Sequence, residues 1–532
     1  MQSAQKQYEL GIESRDQGER EKAVEYFEAA VNIDPGHYQS YAAAAEIFME
    51  QGLSLQAMDC YGCAISVRPF DSALKEKFIG LARACRFVVF NPQMKALLLL
   101  CLQDKSVDFS FMGEAWHSLL ASDPVFKPVY KALQKKDYAS FKKAFSKLSD
   151  HKALLEPVFI MALRRPILIP DMEFETFLTH LRRALLEGLI ENAKLAEALS
   201  HYCHYTDYVF ACGDEEKAKL ADNGNDHILS CYKPARQTKA TAPIPSLTGS
   251  DNEVSAKVKA QYEESPYPRW STYTKQIYNE TIEGRLRDNK ARILVAGCGT
   301  GREAIELAHV FPDANVLGLD LSYASLSYGA AKAQEFGVRN VEFKQADILK
   351  LGNFGERFDY IASTGVLHHM ERPEEGWKIL TGLLKPGGLM RIGLYSRKSR
   401  EPIRAAQRII QDKKFSSSAE DIRRFRDESQ KLLKKNDYKK IASYIDFYTL
   451  PTCRDLLFHV HEHDFTLDEI GGWIERAGMK FLGFNIAADI LAAYREANPG
   501  DPEAANLDLW ARFEEKNPDA FTGMYRMWLQ KN

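Results

Sequence analysis

Residues 292–308, RILVAGCGTGREAIELA, decide how this chain is read. Ile293, Leu294 and Val295 form a short continuous apolar run, the pattern of a strand buried on both faces. Gly297, Gly299 and Gly301 follow at alternate positions. They predict a tight turn, because glycine reaches backbone angles closed to other residues and lets a ligand approach the main chain. Ala304, Ile305, Leu307 and Ala308 then recur at helical spacing. Strand, glycine turn and helix in that order open a βαβ unit, whose helix N-terminus offers unpaired N–H groups to a nucleotide-like ligand.

The downstream sequence extends the pattern. Residues 315–321, NVLGLDL, read as a second strand ending in Asp320, near the spacing at which an acid accepts two ribose hydroxyls. A helix over 325–336 leads to a strand at 341–345 and then to Asp347. A fourth strand, 358–363, runs into Thr364-Gly365-Val366-Leu367-His368-His369. A helix from Glu374 to Leu384 follows, and the turn Lys385-Pro386-Gly387-Gly388 starts a fifth strand, 389–395. A helix at 465–478, a strand at 479–485 and a last strand at 524–530 close the series. Alternating strands and helices, with acids at successive strand ends, predict an α/β fold: a doubly wound sheet with its ligand over the carboxyl edge.

VAGCGTG (295–301), Asp320, QAD ending at Asp347, GVLHH (365–369) and LLKPGG (383–388) together resemble the motif series of the class I S-adenosylmethionine-dependent methyltransferases. The resemblance covers about 261–532. It implies a Rossmann-like seven-stranded sheet with an antiparallel last strand, and S-adenosylmethionine as cofactor. Gly297, Cys298, Gly299 and Gly301 would approach the methionine part of the cofactor. Asp320 with Leu321 would hold the ribose, Asp347 with Ile348 the adenine, and Thr364 would line the same site. Ala296 departs from the family, many of whose members carry an acid there to hold the methionine amino group. The rival for the glycine loop is a nicotinamide enzyme, whose fingerprint places the third glycine one position later.

Methyl transfer from a sulfonium is an in-line displacement, so the protein chiefly binds, aligns and desolvates. His368 and His369, just past the fourth strand, are the candidate bases, a histidine being suited to proton transfer near neutral pH. Tyr267 and Arg269 lie in QYEESPYPRW (261–270), a candidate lid. With Tyr395 and the alternating His459, His461 and His463, they are the candidate substrate-binding residues. The histidine trio is read as pocket lining and no metal is expected. An enlarged insert, 397–465, carries between Arg397 and Lys440 about fifteen Lys/Arg against seven Asp/Glu. That is either a solvated helical face or a surface for something acidic.

The N-terminal part repeats itself. Leu10, Gly11, Gly18, Ala23, Phe27, Ala30 and Pro35 recur 34 residues later as Ala44, Ala45, Gly52, Ala57, Tyr61, Ala64 and Pro69. Small residues at fixed slots let paired helices cross closely, and the pattern resembles the tetratricopeptide family over 1–85. Residues 86–232 read as helical without a motif. The Pro-, Thr- and Ser-rich KPARQTKATAPIPSLTGSD marks a linker over 233–260. Cys60 and Cys63, a C-x-x-C within a helix, lack a second pair at zinc spacing and are read as packing residues. His201, Cys203, His204 and Cys212 are read as part of an aromatic helical core.

A net charge of -3 argues against bulk binding to nucleic acid or membrane, and nine cysteines without a paired framework suit a reducing, cytoplasmic setting. The resemblances together lead to an enzyme that methylates a protein, on lysine or another side chain, with the repeats recruiting that protein partner. The paired acidic loop of arginine methyltransferases is not evident around 363–370. The alternatives are a small-molecule methyltransferase that uses its repeats for assembly, and a non-catalytic scaffold.

Overall fold

The computed structural model describes residues 3–148, 152–221, 224–232, 243–249, 252–270, 272–273, 286 and 290–532. They form two compact units, one of residues up to Tyr232 with Thr272 and Tyr273, the other of the later residues.

The first unit is helical. Ala4–Asp16 pairs with Arg20–Ile33, and Tyr38–Glu50 with Ser54–Val67. The 34-residue periodicity is a periodicity of burial: Ala23, Phe27 and Ala30 are buried, as are Ala57, Tyr61 and Ala64. At Gly11 a Cβ would stand 2.5 Å from the Phe27 ring, so the crossing needs a residue without one. Further helices, from Ser72–Ala82 to Asp226–Leu229, include a buried aromatic centre of Phe126, Tyr130, Phe159, Phe174 and Phe177. Cys60 is half-buried, but Cys63 is exposed, so Cys63 does not serve as the expected packing residue. Cys203 is buried while its helix neighbours His201 and His204 face outward, so those histidines lie outside the expected core.

The second unit is built on a seven-stranded sheet of order β3-β2-β1-β4-β5-β7-β6. Its strands are β1 Arg292–Ala296, β2 Asn315–Asp320, β3 Val341–Gln345, β4 Phe358–Thr364, β5 Leu384–Tyr395, β6 Met479–Phe484 and β7 Met524–Lys531. The first five pair in parallel, and β7 is antiparallel to both β5 and β6. The order reverses between β1 and β4, the place where open α/β sheets hold ligands. Apolar residues of the strands meet helix residues such as Trp377 and Trp510 in one core. β5 begins earlier than expected: Phe358 pairs with Leu384 and Tyr360 with Leu389, so the KPGG residues bulge out within the strand rather than preceding it.

The expected linker is ordered where it is described; residues 233–242, 250 and 251 lie outside the described residues. The Leu247 N–H donates to Gln345 O and the Gln345 N–H to Pro245 O, each at 2.8 Å, which attaches the segment to the edge at β3. Glu253–Glu264 is a helix with Asn252 as its N-cap. In the insert, Arg397, Arg400, Arg404 and Lys440 reach acids at 462–519, and Arg424 pairs with Asp421. These pairs answer part of the local excess of cations within the unit. Among the described residues no helix is long and apolar enough to cross a membrane.

At Gly301 φ is +80° and a Cβ would stand 2.8 Å from the Phe343 ring. Gly301→Ala is expected to cost about 1–3 kcal/mol. Calorimetric unfolding of the full chain should show one transition shifted down by a few degrees; an unchanged profile would contradict this packing.

Candidate functional site

The glycine loop is tied to the end of β2. The N–H groups of Gly297 and Cys298 donate to Leu319 O at 2.7 and 2.8 Å. The N–H of Gly299 donates to Asp320 Oδ2 at 2.8 Å and that of Ser322 to Oδ1 at 2.9 Å, so both carboxylate oxygens are oriented by the backbone. Burial raises the Asp320 pKa, and the two backbone donors oppose that shift. A Cβ at Gly299, where φ is +52°, would lie 2.7 Å from the carbonyl oxygen of Tyr267.

The expected lid therefore lies directly over the loop. The Thr300 N–H donates to Tyr267 O at 3.3 Å, and the buried Trp270 indole donates to Thr300 O at 3.3 Å. At the lid's other end the Glu263 carboxylate accepts from the N–H groups of Tyr323 and Ala324 at 2.6 and 3.0 Å, capping the helix Tyr323–Glu335. Arg269 lies half-buried in the same segment.

Asp347 is 2% exposed. Its Oδ1 accepts from the Leu349 N–H at 3.0 Å, while Oδ2 is buried without a partner, as is the Thr364 hydroxyl. A buried acceptor left unmade is costly, so a donor from a ligand fits there. The Asp347 N–H donates to the Thr248 hydroxyl at 2.8 Å. Gly297, Cys298, Gly299, Gly301, Asp320, Leu321, Asp347, Ile348 and Thr364 thus gather around the carboxyl ends of β1 to β4.

A second group of side chains sits past the ends of β4 and β5. His368 is 0% exposed, neither of its ring nitrogens has a partner, and its ring stacks on Tyr395 at 3.6 Å. The Arg400 guanidinium lies 3.7 Å from the centre of the Tyr395 ring. His369 stacks on His459 at 3.7 Å. His369 Nδ1 is 3.0 Å from His461 O. A carbonyl only accepts, so Nδ1 carries the proton and the Nε2 lone pair is open. His459 Nδ1 accepts from the His461 N–H at 3.1 Å, which places the proton of its neutral ring on Nε2. That nitrogen is 3.2 Å from the Tyr262 hydroxyl, which in turn donates to Asp455 Oδ1 at 2.6 Å.

Burial, then the Arg400 charge, pulls the His368 pKa well below its ordinary value; burial, then His459, does the same to His369. This corrects the expectation of histidines tuned near neutral pH: both are held neutral and only weakly basic by desolvation. Burial likewise lowers His459 to about 4 and raises Asp446 and Asp455 to about 6. His459 turns towards His369 while His461 and His463 bond each other, 3.0 Å between Nε2 atoms, so the three histidines do not act as one group. The segment is not an extended strand.

The ligand atoms of His369, Asp455 and His459 all lie within 4.8 Å of one another. His459 could offer Nε2 to a metal only by losing the proton it directs at Tyr262, so the hydrogen bonds favour a proton-linked cluster over a metal centre. Tyr262, Glu263, Thr248, Arg400, Asp446 and Asp455 are site residues that the sequence did not single out. Only Tyr262 and Glu263 carried a signal, as part of the aromatic segment before β1.

Glu263→Ala removes a helix cap and is expected to cost about 1–2 kcal/mol locally. Hydrogen exchange should quicken at residues 322–326; unchanged protection there would contradict the cap.

Comparison with known proteins bears on this geometry. Residues 287–445 match a family model described as a methyltransferase domain. The chain is 28% identical over 255 residues to an uncharacterized protein of Synechococcus sp., covering 44% of this chain and 61% of that protein. It is 36% identical over 102 residues to the trans-aconitate 2-methyltransferase of Deinococcus radiodurans, covering 19% and 37%. The chain thus spans less than two thirds of the length of these curated relatives. Among solved structures, PKMT2 from Rickettsia typhi in complex with AdoHcy aligns with 18% identity and a TM-score of 0.37, covering 50% of this chain and 54% of that one. The matched segment, 287–445, holds β1 to β5, the parallel strands whose carboxyl ends gather the site residues.

Proposed function

We propose that the chain is an S-adenosylmethionine-dependent methyltransferase that modifies a protein, on lysine or another side chain. In this reading the paired N-terminal helices are tetratricopeptide repeats that recruit the substrate protein. The observation that carries the methyltransferase reading is the donor set at the switch point. Three glycines let the loop close against Val366, Tyr267 and Phe343, Asp320 is aimed by two N–H groups, and Asp347 Oδ2 has no partner.

S-adenosylmethionine supplies an electrophilic methyl group on a sulfonium. Asp320 would accept from its ribose hydroxyls and Asp347 Oδ2 from its adenine amino group. The glycine loop would lie against the methionine part, with Tyr267 and Trp270 excluding water from above. His369, with its Nε2 lone pair open, and His368 remain the histidines nearest this role; their weak basicity assigns them to shaping and orienting before proton removal. The nine free cysteines fit a cytoplasmic setting.

The likeness to trans-aconitate 2-methyltransferase and to a ubiquinone biosynthesis O-methyltransferase of Acinetobacter baumannii favours a second reading, a small-molecule substrate. Each likeness covers under a fifth of the chain, 19% and 18%, and leaves the helical repeats without a task. The protein substrate is preferred on that ground.

Titration calorimetry of the full chain with S-adenosylhomocysteine tests the cofactor site. Binding is expected, and Asp320→Ala should weaken it about a hundredfold or more, the loss of hydrogen bonds to a charged acceptor. No binding by the unaltered chain would overturn the reading, and equal affinity of the variant would overturn the role of Asp320.

A further inference from the structure

Among the described residues, Asp446 and Asp455 are two acids of the second unit without an ion pair, although the Arg400 charge acts on both. Asp455 is buried; Asp446 is enclosed by protein yet keeps part of its surface accessible. The Asp455 charge disfavours ionisation of Asp446, and the Glu462 charge that of Asp455. Arg400, the cation that acts on both, makes two bonds of 2.8 Å to Glu462 and sets its guanidinium against Tyr395. Arg526 also acts on Asp446; burial lowers its own pKa although part of its surface stays accessible. Among the described residues neither acid has an ion pair with any cation. Buried carboxylates persist where a cation answers them.

The walls around the acids are aromatic. Tyr262 bonds Asp455 and lies ring to ring with Tyr267, at 6.3 Å. Tyr267 and Tyr395 both feel the charges of Asp446 and Asp455, and Tyr444 that of Asp446. Behind Tyr395 stands His368, fully buried, with both ring nitrogens unpartnered. Ring faces attract a compact organic cation. The tautomer of His459 disfavours a metal ion in the same place.

We propose that this pocket receives the methyl acceptor as an ammonium ion, with Asp446 and Asp455 answering its charge and Tyr262, Tyr267, Tyr395 and Tyr444 enclosing it. Methylation then requires one proton to pass from the ammonium to an aspartate carboxylate and on to solvent, which frees the nitrogen lone pair. The inference rests on the methyltransferase reading and narrows its substrate to an amine. The pocket's chemistry is the same for an amine on a protein side chain and for one on a small molecule, and the test separates the two.

The groups that face these acids are Tyr262 and Tyr267 from the lid, His368 and His369 after β4, Tyr395 and Arg400 after β5, Tyr444, His459 and Glu462 from the insert, and Arg526 from β7. The tyrosines are pushed above their ordinary values and His459 is near 4, which leaves the two acids, near 6, to titrate between pH 5 and 7. Ammonium binding needs them ionised, so affinity falls as pH falls through about 6.

The test is titration of the full chain, saturated with S-adenosylhomocysteine, with N-acetyl-lysine methylamide and with N-acetyl-norleucine methylamide, which lacks only the amine. At pH 7.5 the lysine compound should bind at least about tenfold more tightly. That preference should shrink about tenfold at pH 5, where about a tenth of a group with pKa 6 stays ionised. It should also fall in Asp446→Asn and Asp455→Asn variants that keep their S-adenosylhomocysteine affinity. n-Butylamine binding as well as the lysine compound supports a small amine, and weaker binding supports a protein side chain. Equal binding of the lysine and norleucine compounds by the unaltered chain overturns the inference and leaves the methyltransferase reading standing. Loss of S-adenosylhomocysteine binding overturns that reading itself. A stoichiometric divalent metal in the purified protein, lost in Asp455→Asn, also overturns the inference.

Discussion

The second unit depends on close approach at three glycines. A Cβ at Gly297 would meet Val366 at 2.4 Å, at Gly299 the Tyr267 carbonyl at 2.7 Å, and at Gly301 the Phe343 ring at 2.8 Å. Each contact joins β1's loop to a different neighbour: the segment after β4, the lid, and β3. The absence of three side chains therefore fixes at once where the sheet edge, the lid and the helix N-terminus meet. Asp320 is part of the same constraint, since the Gly299 N–H that aims it is available only in this loop conformation.

What the sequence made legible is what is local. Strand, glycine turn and helix are consecutive, and Asp320 and Asp347 fall at strand ends where β2 and β3 stop. Their convergence follows once the strands are parallel neighbours. The 34-residue repeat was legible for a similar reason, since each slot records a contact within one helix pair. Tyr262, Thr248, Glu263, Asp446 and Asp455 were not legible. They lie far apart in the chain and no spacing rule connects them; only the folded lid and insert bring Tyr262 to within 2.6 Å of Asp455. The basic count of the insert left out answering acids that come from 462–519, outside the window counted. Histidine chemistry misled because basicity is set by burial, which residue type does not record.

The electrostatics of the site divide it in two. On the cofactor side backbone donors face carboxylates. On the other side buried histidines are held neutral, and two acids lie near an arginine that is paired with Glu462. On the proposed reading, such a site contributes placement and charge complementarity, with a carboxylate rather than a histidine taking the acceptor's proton.

The most direct measurement gives the full chain methyl-labelled S-adenosylmethionine together with a cell extract, resolves the products by size and locates the label by mass spectrometry. The account predicts label in discrete protein bands, on an amine nitrogen. Label confined to small molecules, or no transfer at all, would contradict it.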